Sequence, residues 1–110
     1  MGLAGSEYGL FLKQLEAGHL GLALTYAAEL RSISLADALK LCELMARDGD
    51  QRFSRAASRW VERFGAETGA GLPEVQLAAA ALGWLWENPE SEVPTSVLQS
   101  LIDVGDNGDR

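Results

Sequence analysis

Histidine and cysteine are almost missing from this chain, which has one of each, His19 and Cys42. No histidine pair can hold zinc, and Cys42 has no cysteine partner for a disulfide, a metal or redox exchange. Nothing therefore points to an oxidising compartment. Proline is scarce, and all three prolines follow position 72, leaving the first two-thirds free of helix breakers. β-branched residues are few, while leucine and alanine supply most of the apolar content. Such a bias favours helices, where Leu and Ala lose little side-chain freedom. No apolar run approaches the roughly 20 residues of a membrane span. The opening "MGLAGSEYGLFLKQLE" has no basic region followed by a long apolar core, so no signal peptide is expected. A cytoplasmic protein is the default expectation, with no membrane contact and no cofactor.

Positive charge is also in the minority. Nine basic residues face sixteen acidic ones, for a formal charge of −7. That balance argues against a general nucleic-acid binder, which would carry a basic footprint. It would speed encounter with a basic partner without showing that one exists. Motifs for chemistry are missing as well. "GAETGAGLP" is glycine-rich but joins two predicted helices and lacks the lysine and hydroxyl of a nucleotide loop. "DVGDNGD" lacks the alternating acids and closing glutamate of a calcium loop. Cys42 falls on the apolar face of its predicted helix, as a small buried hydrophobe would, and His19 reads as a surface or capping residue. No catalytic and no metal-ligating residues are expected, and the chain reads as a non-enzyme.

What is present is helical periodicity. In "ISLADALKLCELMARDG", Ser34 can cap a helix, with Asp37 three residues on. Leu35, Ala38, Leu39, Cys42, Met45 and Ala46 recur at helical spacing, and Gly49 suits a left-handed stop, which predicts a helix over 35–47. Asp50 can cap the next, over 51–67, with Phe53, Ala57, Trp60, Val61 and Phe64 on its apolar face. Upstream, helices are predicted over 6–16 (Tyr8, Phe11, Leu12, Leu15) and 19–31 (Leu20, Ala23, Leu24, Ala27, Leu30). Downstream, 72–87 reads as a helix opened by Pro73 and ended by Asn88-Pro89. A tail helix over 94–103 would carry Val97, Leu98, Leu101 and Ile102, followed by a disordered acidic end at 105–110.

The second half lies on the first at an offset of about 37 residues, within the range of stacked helical pairs. Leu35-Ala36-Asp37-Ala38 then falls on Leu72-Pro73-Glu74-Val75, although Leu39 meets Gln76. The expected fold is all-α: a small single-domain bundle over 1–104, built of two stacked helical hairpins plus terminal helices.

Two features are candidate binding surfaces. The helix 72–87 is apolar nearly all round: Val75, Ala78, Ala79, Leu82, Leu85 and Trp86 take one broad face, and Leu77, Ala81 and Trp84 much of the opposite one. Such a helix belongs inside something. Its cover can be the N-terminal segment around Phe11, the tail helix around Leu98, or a second copy of the chain. The other feature is a line of Arg52, Arg55, Arg59 and Arg63 within an arc of roughly 80°. Arginine forks suit phosphate or carboxylate. Equally, the line can be neutralised locally by Glu67 and Glu62 and by Asp37, Glu43 and Asp48 of the preceding helix. The excess of acids favours that paired, solvated edge.

The run from 33 to 82 resembles uncharacterised small all-helical proteins of high-GC bacteria. The shared residues are Leu35-x-Asp37-Ala38-Leu39, Phe53-x-Arg55-Ala56-Ala57-x-Arg59-Trp60 and Gln76-Leu77-Ala78. The resemblance implies no activity. It raises Arg55, Arg59 and Trp60 as a structural or binding unit.

The expected function is a protein–protein interaction module that binds another protein or itself. Its partner-binding residues would be Arg52, Arg55, Arg59, Arg63, Leu77, Ala81, Trp84, Val97, Leu98 and Leu101. The alternatives are an acidic inhibitor of the antitoxin or immunity type, and a nucleic-acid accessory using the arginine line.

Overall fold

The computed structural model describes residues 3–108, which form six helices and no strand. They are α1 (Leu3–Ala17), α2 (Leu20–Glu29), α3 (Leu35–Asp48), α4 (Phe53–Thr68), α5 (Leu72–Glu87) and α6 (Val93–Gly108). Each boundary has a local cause. Gly18, Gly49 and Gly69 adopt positive φ and stop α1, α3 and α4. Ser34 Oγ accepts the Asp37 N–H at 3.1 Å and opens α3. Asp50 caps less directly than its position suggests. Its carboxylate accepts the Arg52 N–H at 2.8 Å, and α4 begins one residue later, at Phe53. Pro73 sits in the first turn of α5, and the Asn88 N–H reaches the Trp84 carbonyl at 2.8 Å to end it.

The helices form a small bundle only about two helices thick, with extents of 39 × 35 × 21 Å. The terminal helices are integral to it. α1 packs along α2 and α6 packs along α5, so the chain runs as three consecutive hairpins, with α3–α4 as the middle one.

The innermost helix is α3, which touches all five others. Eight of its fourteen residues are buried, including Leu35, Leu39, Cys42 and Met45. Around it gather Phe11 and Leu15 of α1, Ala23 of α2, Trp60 and Phe64 of α4, Leu82 and Leu85 of α5, and Leu98 and Ile102 of α6. Two long-range hydrogen bonds tie α3 in place. The Trp60 indole N–H donates to the Leu35 carbonyl at 2.9 Å, and the Tyr8 hydroxyl donates to Asp37 Oδ2 at 2.7 Å. Asp37 is buried and spent on that contact, so it does not neutralise the arginine line.

The end of the chain departs from expectation. A disordered end was expected from residue 105, yet α6 continues to Gly108; residues 109 and 110 lie outside the described residues. A Cβ at Gly105 would fall 2.8 Å from Thr68 Cβ, so α6 lies closer to the end of α4 than any side chain there would permit.

Candidate functional site

α5 fixes the site, and its orientation is set by neighbours on either side. Ala78, Ala81, Leu82 and Leu85, at i, i+3, i+4 and i+7, turn inward. α6 lies along one flank and α4 along the other, antiparallel to α5. Phe53 at the start of α4 stacks on Trp86 near the end of α5, with ring centroids 5.1 Å apart. Gly65 near the end of α4 faces Val75 near the start of α5. The remaining side of α5 meets solvent. Eleven of its residues are exposed, and only Glu74, Gln76 and Glu87 are polar. Leu72 is 68% exposed, Leu77 48% and Trp84 46%.

Beside this strip, between α4 and α5, lies a cleft of about 490 Å³. Ser54, Ala57, Ser58 and Val61 form one wall, and Ala79, Leu82, Gly83 and Trp86 the other. The small residues make the recess; the tryptophans and Leu77 stand proud of it.

Of the residues singled out from the sequence, Leu77 and Trp84 are on this surface. Ala81 is not: it is 3% exposed, turned towards the core. Leu98 is fully buried, and Val97 and Leu101 are half-buried against the core. The tail stripe is therefore core, and the partner-binding role expected for Ala81 and Leu98 is corrected. The reason is the direction in which α5 faces. A helix apolar on every side gives no sequence signal for which side a neighbour will cover. Ala79, Gly83 and Trp86, assigned to the inner face or passed over, line the cleft instead. Small residues flanked by large ones along 79–86 were the signal available for them.

The arginine line divides. Arg52 is bound to Asp50 at 2.7 Å, and hydrogen bonds from its guanidinium and backbone N–H hold the Asp50 carboxyl down at about 2. Arg63 pairs with Glu67 at 2.7 Å and donates to the Ile33 carbonyl at 2.9 Å, bracing the loop before α3. Arg55 and Arg59 are exposed and form no ion pair among the described residues. Two of the four guanidinia are thus structural. The pairing of Arg59 with Glu62 suggested by their spacing is not formed.

His19 Nδ1 lies 3.0 Å from Gln14 Oε1 at the α1–α2 turn. Cys42 is 2% exposed, and burial, with Glu43 adding to it, pushes its thiol up to about 12. The thiolate is the reactive form. Cys42 in the native chain is therefore expected to react with a thiol-specific disulfide reagent at pH 8 at least about 100-fold more slowly than in denaturant. Equal rates in the two conditions would show that the thiol is not enclosed.

Among the described residues, no helix is long and apolar enough to cross a membrane. Fold and site together describe an all-α bundle that turns one apolar helix and its adjoining cleft to solvent. No protein-family model, curated protein or solved structure was found to match the chain.

Proposed function

We propose that this chain is a non-enzymatic, cytoplasmic protein-interaction module whose docking surface is α5 with its cleft towards α4. The observation that carries the reading is the exposed apolar length of α5. A 16-residue helix is about 24 Å long, and no ionisable side chain interrupts its solvent side between Glu74 and Glu87. Soluble monomers seldom leave so continuous a patch bare, and patches rimmed by polar residues mark interaction sites. Half-exposed tryptophans beside a small-residue recess are the kind of anchor and pocket that concentrate binding energy. The burial of Cys42 and the local partner of His19 support a binding role over bond-making.

The test is site-specific photo-crosslinking in the source cells. A benzophenone-bearing residue in place of Ser58, in the cleft wall, is expected to capture discrete protein species. The same group in place of Lys13 on α1, which among the described residues packs only against α2 and α3, is expected to capture none of them. Identical products from both positions, or none from Ser58, would remove α5 and its cleft as a docking surface.

A further inference from the structure

We propose that the groove on the opposite flank of α4 is a second binding site, and that it takes an amphiphilic monocarboxylate, one hydrocarbon chain ending in one carboxylate. The proposal is independent of the α5 surface. Along α4, Ser54, Ala57, Ser58 and Val61 line the cleft towards α5, whereas Ala56, Arg59, Trp60 and Arg63 line a groove shared with α2 and α3. The space there is about 330 Å³, at the small end of the range for ligand pockets. Seven of its nine lining residues are apolar, and the other two are arginines. No acidic side chain lines it, in a chain where acids outnumber bases sixteen to nine. Arg63 is engaged by Glu67 and by the Ile33 carbonyl. Arg59 is exposed and forms no ion pair among the described residues, which leaves one free guanidinium at the rim.

Each part of the ligand answers a part of the groove. Leu41, Met45 and Trp60 are buried, so the opening between them is a narrow slot rather than an open face. The lining side chains offer no hydroxyl, amide or carboxylate, and the Trp60 indole N–H is already donated to the Leu35 carbonyl. A peptide lying there would leave its own N–H and C=O groups without partners, a cost that a hydrocarbon chain does not incur. At the rim, a planar guanidinium matches one carboxylate through two parallel hydrogen bonds. Charge alone would not hold an anion, because the net charge of −7 repels it at long range. Most of the affinity must come from apolar length, at about fourfold per buried methylene, which disfavours inorganic phosphate. Arg55, one turn earlier on α4, does not line the groove.

The test is titration of the full chain with sodium decanoate, up to about 1 mM, followed by calorimetry and by the indole N–H resonances. The three tryptophans report separately: Trp60 lines the groove, Trp86 lines the α5 cleft, and Trp84 stands half exposed on α5. Expected is one decanoate per chain, with a shift at Trp60 and none at Trp84 or Trp86. Arg59→Gln should weaken binding at least about tenfold with the helical signal unchanged, because it removes a charge-assisted contact. Arg55→Gln should leave binding as it is. Decyltrimethylammonium, which the net charge of the chain favours, should bind at Trp60 at least about tenfold more weakly than decanoate. No bound decanoate, a shift confined to Trp84 and Trp86, an Arg59→Gln variant equal to the parent, or equal binding of the ammonium would each overturn the proposal. A short apolar peptide with a free C-terminus that displaced decanoate from Trp60 at equal concentration would overturn the hydrocarbon chain as the occupant.

Discussion

Trp60→Ala is expected to lower the melting temperature by roughly 12–20 °C, or to unfold the chain outright. The indole is 2% exposed, stacks on Phe64 with centroids 5.5 Å apart, and holds the Leu35 carbonyl. Removing a buried aromatic costs about 3–5 kcal/mol, out of a total stability of roughly 5–15 for a domain. At this chain length each kcal/mol is worth about 4 °C. Trp60→Phe separates the two contributions. It keeps a stacked ring but loses the indole hydrogen bond to the Leu35 carbonyl, for about 0.5–1.5 kcal/mol. Trp84→Ala is the control, since that ring is half exposed and adds little to the core. Its expected cost is below about 1 kcal/mol. Thermal melts of the three variants check the order, and equal losses at Trp60 and Trp84 would contradict the burial assigned to each.

Deleting residues 89–110 should have the second large effect. α6 contributes Leu98 and Ile102 to the core, buried at 0% and 5% exposure, and Val97 and Leu101 pack beside them. Four aliphatic side chains at about 1.5–3 kcal/mol each amount to as much as the whole domain's stability. The truncated chain is therefore expected to lose cooperative unfolding and to aggregate, as seen by circular dichroism and sedimentation. Leu98→Ala, at about 3 kcal/mol, tests the same contact without removing the helix. A truncated chain that melts cooperatively as a monomer would show that α6 is not structural cover.

The sequence carried the local features of the fold well. Helix ends depend on residues a few positions apart, so Ser34, Gly49, Pro73 and Asn88 could be read directly as caps and stops. The arginine line was likewise legible as a line, and the spacing of Arg63 and Glu67 pointed to the pair that forms. What could not be read was every feature that depends on distant neighbours. Tyr8 and Asp37 are 29 positions apart, Trp60 and Leu35 25, and no periodicity joins them. α6 runs to Gly108 although the composition there suggests disorder, and Gly105 lies against Thr68 of α4, a contact no local pattern announces. The same limit misplaced the site. Ala81 and Trp84 share an apolar flank in sequence, yet one is buried and the other half exposed, because α6 and α4 decide which way α5 faces. It also concealed the central helix: α3 holds that place while carrying Lys40, Glu43 and Arg47, and the greasier α5 stays at the edge.

The slab-like build, 21 Å through its thin dimension, separates two properties that thicker proteins entangle. Leu77, Ala80 and Gly83 stand outside the interior, so exchanging them hardly disturbs folding. Natural selection for a foldable chain is therefore nearly blind to these positions, and drift could rewrite them freely. A lineage that lost the use of this helix should show polar residues here within a few steps, while Trp60 and Leu98 stayed as they are.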